Sequence, residues 1–258
     1  MPPSEWSTVD AAADPRRLLT GLDALRAEPF FAASKARMAT LLATTPSTRL
    51  LDVGCGTGED AVALPGSAIG IERSVVMGTE ARSRHPSLPL VAGDAASLPI
   101  RDACVDAVRA DRVVQHLPDA PAALREWRRV LQTNGKLVCF DPDLATASIE
   151  GVDRGSASII LEWRVHTRPG AATVHGLREV LEATGFSDVH VESLVLDLAD
   201  LDRADGIMGL ARWGHAAADA GALSERAAQR WRDDVHQAAH DGDLRYRCVY
   251  RLADATAR

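Results

Sequence analysis

The sequence predicts an α/β fold: a doubly wound, seven-stranded, mostly parallel sheet with helical lid additions. Three observations predict it. Short aliphatic runs alternate with helix-compatible stretches along most of the 258 residues, as expected of strands buried on both faces by crossover helices. The first of these runs ends in the glycine loop Gly54-Cys55-Gly56-Thr57-Gly58, which suits a strand-to-helix turn with close backbone approach. Helix-compatible segments between the late strands are placed to roof the carboxyl edge of such a sheet.

Taken in order, residues 1–45 read as an amphipathic helical cap, with Leu18, Leu19, Leu22 and Leu25 in one stripe and Phe30, Phe31, Met38, Leu41 and Leu42 in the next. The remaining domain, 46–258, opens with a strand at Arg49 to Val53, and a helix is expected to start near Thr57. Further strands are expected at Ala68 to Ile71, Leu88 to Ala92, Val105 to Ala110 and Leu137 to Phe140. Leu124, Trp127 and Leu131 repeat with helical spacing, and Asn134-Gly135 ends that helix. Leu177, Val180, Leu181 and Thr184 form a second stripe, stopped by Gly185. Val189, Val191, Leu194 and Leu196 read as a sixth strand and Leu244 to Leu252 as a seventh, which suits one antiparallel strand at the sheet edge. Residues 142–172 and 198–241 fall outside this rhythm and are the expected lid insertions.

Composition narrows the function classes. The 29 Lys plus Arg against 36 Asp plus Glu give a net charge of -7, which argues against a nucleic-acid backbone as the main partner. Cys55, Cys104, Cys139 and Cys248 are scattered, with no CxxC pair and no histidine cluster, so reduced thiols and no metal are expected. Asp141-Pro142-Asp143 reads as a strand-ending turn rather than a metal site. The segment MPPSEWSTVDAAADPRR lacks an apolar signal core, and no run approaches the roughly 18 apolar residues of a membrane span, so a cytoplasmic protein is expected. Lysine occurs only at Lys35 and Lys136 while arginine and alanine abound, a bias that suggests a GC-rich bacterial source.

The chemistry of the glycine loop selects its ligand. Its spacing is GxGxG, not the GxGxxG of dinucleotide sites, and Glu59 and Asp60 follow where a pyrophosphate would meet the helix N-terminus. Two carboxylates there repel phosphate. A cofactor with a ribose, an adenine, no phosphate and a cationic centre fits better, and S-adenosylmethionine (SAM) has that chemistry. Glu72 should end the second strand, where a carboxylate can accept hydrogen bonds from both ribose hydroxyls. Asp94 can take the adenine amino group, with Ala95 leaving room for the ring and Ser74 to Met77 supplying apolar contact.

These residues also fall into an ordered set of motifs: LLDVGCGTG, AIGIE at Ala68 to Glu72, AGDAASLP at Ala92 to Pro99, VDAVRADRVVQHLPD at Val105 to Asp119 and RVLQTNGKLVCFDPD at Arg129 to Asp143. In that order and spacing the chain resembles the class I SAM-dependent methyltransferases, in particular the small-molecule branch of ubiquinone and menaquinone biosynthesis. The resemblance runs from roughly Phe31 to Val195. It implies a Rossmann-like sheet and a cofactor set made of Asp52, Gly54, Cys55, Gly56, Gly58, Glu72, Arg73, Asp94, Ala95 and Arg112, the last through its backbone carbonyl. Asp52 is implied to place the methionyl portion by ordering the loop, and Lys35 or Arg37 to pair with the methionyl carboxylate.

The loop Asp111 to His116 should border the transferred methyl group. Positioning for in-line displacement can supply on the order of 7–11 kcal/mol, so a base is optional. Where the acceptor is a hydroxyl, His116 is the first candidate base and His166 the second, with a pKa near working pH adding roughly 10²–10⁴-fold. Trp163 and Trp213, in the lid segments, are the candidate substrate-binding side chains. The expected acceptor is a small, moderately apolar molecule of bacterial secondary metabolism; a homodimer stays open. Two other readings stay open as well: an enzyme of this fold that catalyses a non-methylating reaction such as cyclisation, and a SAM-binding regulatory subunit.

Overall fold

The computed structural model describes residues 8–12 and 14–258. Residues 1–7, the MPPSEWS segment, and Ala13 of the expected 1–45 cap lie outside the described residues. After a 3₁₀ turn at Val9–Ala11, the helices α1 (Pro15–Ala27) and α2 (Pro29–Leu42) precede the sheet. Each opens on a proline at its first position, where the missing N–H costs nothing.

The first half alternates as expected: β1 (Arg49–Val53), α3 (Glu59–Ala63), β2 (Ser67–Glu72), α4 (Val75–Arg84), β3 (Leu90–Ala92), β4 (Val105–Asp111) and α5 (Ala120–Val130). There follow β5 (Leu131–Glu150), α6 (Arg154–His166), α7 (Ala171–His175), α8 (Leu177–Ala183) and β6 (Phe186–Leu198). The chain ends with α9 (Leu201–Met208), α10 (Trp213–Asp219), α11 (Glu225–Asp241) and β7 (Arg245–Ala257).

The strands form one sheet of seven in the order β3-β2-β1-β4-β5-β7-β6. β1 to β5 run parallel, and β7 is antiparallel to both β5 and β6. Successive side chains feed opposite faces: Leu50, Ala107 and Val138 join one core, while Leu51, Val108 and Leu137 join the other. This two-sided burial explains why these strands read as unbroken apolar runs.

Several expectations are corrected. The antiparallel strand is not at the edge; β7 inserts between β5 and β6, and β6 forms the edge. Asp141-Pro142-Asp143 is not a strand-ending turn, because β5 runs on to Glu150 paired with β7, with Pro142 opposite Tyr250. The expected lid at 142–172 therefore begins as sheet, and its helical part starts only at Arg154. The helix of Leu124 and Trp127 stops at Val130, and Leu131 opens β5 opposite Val105. The helix after the glycine loop opens at Glu59, not Thr57, because Gly58 holds a left-handed backbone.

The order β2-β1-β4 places the carboxyl ends of β1 and β4 side by side where connections diverge to opposite sides of the sheet. A crevice forms at such a point. α1 and α9 pack across it, tied by Arg203, which donates to the buried Glu28 at 2.5 Å. Among the described residues no helix is long and apolar enough to cross a membrane.

Candidate active site

The crevice is a cavity of about 330 Å³. Gly54, Cys55 and Gly56 form its floor, Glu72, Arg73, Asp94 and Ala95 one end, and Arg112 and His116 the other, with Lys35 entering from α2. The backbone of Gly54 is left-handed (φ 67°), and an added Cβ would lie 2.6 Å from Val113 Cγ2, so a side chain is excluded twice over.

Glu72 organises its end before any ligand arrives. Its Oε2 accepts from the Gly56 N–H at 2.9 Å and its Oε1 from the Ser74 N–H at 2.8 Å, while burial raises its pKa above the ordinary carboxylate value. The second lone pairs of both oxygens stay available for hydroxyl donors. Asp94 is exposed, accepts from the Ala96 N–H at 2.8 Å and lies 4.0 Å from Arg73. The Ala95 carbonyl accepts from Trp127 Nε1 at 2.9 Å, which ties this loop to α5. Met77 lines the same end. Asp10 accepts from Ser74 Oγ at 2.6 Å and from the Val75 and Val76 N–H groups, so the N-terminal turn caps α4 there.

Beneath the floor lies a charge network that centres on Arg109 of β4. It donates to Asp52 and Asp60 at 2.9 Å and to Asp111 at 3.0 Å, and Lys35 contacts Asp60 and lies 3.5 Å from Asp111. Burial opposes the charges of Asp60 and Asp111, but the surrounding cations outweigh it and lower both pKa values. Asp52, fully buried, is raised by its desolvation against the pull of Arg109, and its Oδ2 has no hydrogen-bond partner. Arg109 was missed in the sequence; a charge inside the apolar run VDAVRAD was the available signal.

At the other end, Arg112 pairs with Asp111 at 3.0 Å and stands 5.3 Å over the Phe31 ring. Asp141, with no exposure, accepts from the Val114 and Gln115 N–H groups at 3.2 and 3.1 Å and so fixes the 3₁₀ turn Val114–His116. Burial raises its pKa to about 8 against those hydrogen bonds. Burial also lowers His116 to about 3, helped by Arg168, Arg112 and Arg73. Tyr246 and Tyr250 of β7 complete this wall with Pro142, Leu144, Ile207 and Met208. Tyr250 stacks on Phe140 with ring centroids 5.0 Å apart. The tyrosines carried no sequence signal beyond strand patterning, because only tertiary pairing brings β7 beside β5.

Six predicted site residues do not reach the cavity wall. Arg37 is exposed and pairs with Glu192 at 3.2 Å, since it lies on the outer face of α2. Asp52 acts one layer below, through Arg109. Gly58 serves packing, its missing Cβ leaving room for Leu88. His166 is exposed at the end of α6, its Nδ1 on the Glu162 carbonyl at 2.8 Å. Trp163 packs against the core, and Trp213 is buried behind Arg164, whose guanidinium lies 3.6 Å from its ring centroid. The lid contributes Arg164, Arg168, Ile207 and Met208 instead. His116 reaches the wall, but as a neutral imidazole whose pKa is far below working pH. Glu59 and Asp60, which the sequence reading sets against a phosphate, are compensated by Arg26 and Arg84 and by Lys35 and Arg109.

A family model described as "Methyltransferase domain" matches residues 51–139. An uncharacterized 37.1 kDa protein in transposon TN4556 of Streptomyces fradiae is 36% identical over 214 residues, covering 78% of this chain and 61% of its own length. A demethylmenaquinone methyltransferase of Staphylococcus aureus is 34% identical over 111 residues, covering 40% of this chain and 46% of its own. The fold of the YcgJ protein from Bacillus subtilis superposes with TM-score 0.63 at 19% identity, over 88% of this chain and 99% of that one. Residues 51–139 are thus similar to a methyltransferase domain, and the sheet has the fold of the solved neighbour. It spans about half to three fifths of the length of these curated relatives. SAM is the cofactor that this domain implies, and the wall fits it: a two-glycine floor that a Cβ would fill, a carboxylate at the end of β2, and Lys35 and Arg109 beside the floor.

Proposed function

We propose that this chain transfers the methyl group of SAM to a small, moderately apolar organic acceptor. The observation that carries the reading is one continuous cavity running from Glu72, past the Gly54–Gly56 floor, to the apolar wall of Pro142, Leu144, Tyr246 and Tyr250. Bound there, SAM supplies an electrophilic methyl group on a sulfonium. The protein's part is to hold and align: Glu72 accepts from the ribose, Ala95 and Met77 bracket the adenine, and Lys35 meets the methionyl carboxylate. Asp141 sets the loop that carries His116, and α1, α6 and α9 exclude water. With His116 neutral and weakly basic, alignment rather than proton removal dominates the acceleration.

The helical parts of 142–172 and of 198–241 serve as the lid in this reading. The setting proposed with it is bacterial secondary metabolism in the cytoplasm, and the arginine- and alanine-rich composition supports its bacterial part. The test is calorimetry with SAM, S-adenosylhomocysteine and NAD, followed by S-adenosylhomocysteine release across an acceptor panel. Binding of both adenosyl ligands but not NAD, with release for at least one acceptor, is expected. NAD binding without SAM binding overturns the reading, and SAM binding with turnover of an acceptor but no S-adenosylhomocysteine favours a non-methylating enzyme.

A further inference from the structure

Arg164 and Arg168 stand apart from every other cation of the cavity. Arg26, Lys35, Arg73, Arg109 and Arg112 each face a carboxylate. Among the described residues, Arg164 and Arg168 face none. Arg164, in the last turn of α6, has one face covered by the Trp213 ring. Arg168 follows the helix, its N–H held by the Val165 carbonyl at 3.0 Å. Its Nη1 donates to Thr167 Oγ1 at 3.1 Å, while its Nε is buried without a hydrogen-bond partner.

Both side chains are largely withdrawn from solvent, and both line the wall. Burial lowers both pKa values, and Arg164 helps bring Arg168 down to about 9, which leaves Arg168 cationic at neutral pH. Two buried like charges without a counter-ion oppose folding, and a chain with net charge -7 is not short of carboxylates. Stacking on Trp213 accounts for where Arg164 lies but not for the orphaned donor of Arg168. What satisfies both is an oxyanion, which guanidinium forks bind through paired N–H donors.

We propose that Arg164 and Arg168 form an oxyanion-recognition site, so that the acceptor carries a carboxylate or phosphate group distinct from the atom that receives the methyl. This rests on the methyltransfer reading above. A carboxylate held by two guanidiniums is a poor nucleophile, so the group anchors the acceptor while another atom reacts. Tyr246 and Tyr250 beside the pair suit an aromatic or flat body attached to that anchor.

The test titrates phenylacetate, phenyl phosphate and neutral phenylacetamide into the full chain saturated with S-adenosylhomocysteine, by calorimetry at constant ionic strength. At least one anion is expected to bind about tenfold or more tighter than the amide. Arg164→Gln and Arg168→Gln should each lose about tenfold for that anion, with S-adenosylhomocysteine affinity unchanged as proof of fold. Arg168→Lys, which keeps the charge without the fork, should lose less. Which anion binds separates a carboxylate anchor from a phosphate one. Equal binding of anions and amide, no binding of either anion, or full anion affinity in both glutamine variants overturns the proposal. If S-adenosylhomocysteine itself fails to bind, the methyltransfer reading falls, and the same titration without it still decides the arginine pair.

Discussion

Glu72 Oε2 accepts the Gly56 N–H at 2.9 Å, so the residue expected to hold the ribose also holds the glycine loop across which the cofactor would lie. Its other oxygen takes the Ser74 N–H. Glu72→Ala therefore removes a ligand contact and leaves two backbone donors without their acceptor. SAM affinity should fall by roughly 1.5–3 kcal/mol, and the thermal midpoint should fall with it. Glu72→Gln, which keeps one acceptor oxygen on the same stem, should recover part of the stability. Calorimetry showing unchanged SAM affinity in the alanine variant removes Glu72 from the site.

Asp141 makes stability depend on pH in an uncommon direction. Its folded pKa of about 8 lies above the ordinary 3.8, so between these values the folded chain keeps a proton that the unfolded chain releases. Its contribution is fully present below the lower value and declines as pH rises toward about 8, with a limiting slope of ~1.4 kcal/mol per pH unit. Urea unfolding of the wild type and of Asp141→Asn at pH values across that window should show the wild type losing ground to the variant. A difference that is constant with pH contradicts the buried, protonated carboxyl.

Gly170 touches the turn that carries His116. Its N–H donates to the Gln115 carbonyl at 3.0 Å, and an added Cβ would lie 1.9 Å from the Val114 carbonyl oxygen. Gly170→Ala should cost about 1–3 kcal/mol in overpacking and displace this turn, with SAM affinity nearly kept because the loop after β1 is untouched. Chemical denaturation and calorimetry read the two separately. Unchanged stability means the backbone yields there.

His116 should stay neutral throughout the physiological range, because its pKa is lowered to about 3 by burial and then by Arg168, Arg112 and Arg73. Its ring resonances in solution NMR, assigned by comparison with His116→Gln, should not shift between pH 5 and 8 in a buffer series. A midpoint near the unperturbed value of about 6.5 would restore a general-base role.

Trp213 stands behind the cavity wall, with Arg164 3.6 Å from its ring centroid, the Tyr246 ring 5.5 Å away and its Nε1 donating to the Met208 carbonyl at 2.9 Å. Trp213→Leu should cost acceptor turnover through a cation–π contact of about 0.5–2 kcal/mol, besides some stability, and leave SAM affinity alone. Equal loss for both ligands would assign Trp213 to the general core.

What the sequence determined by itself was local and periodic. Leu50, Leu51 and Val53 specify a buried strand, Gly54 and Gly56 a left-handed loop, and Gly185 a helix stop, because each depends on neighbours within a few residues. Those features also placed Glu72, Asp94 and the cofactor end of the cavity, since the βαβ connection leaves one way for the chain to return. The acceptor end was decided by tertiary structure. Only the insertion of β7 between β5 and β6 brings Tyr246 and Tyr250 to the cavity wall. Only the packing of α6 under α10 aims Arg164 inward while Trp163 and His166, one residue before and two after it, turn away. Burial and charge pairing, which set His116 low, Asp141 high and Arg109 permanently charged, depend on groups tens of residues apart in the chain. No window along the sequence contains them.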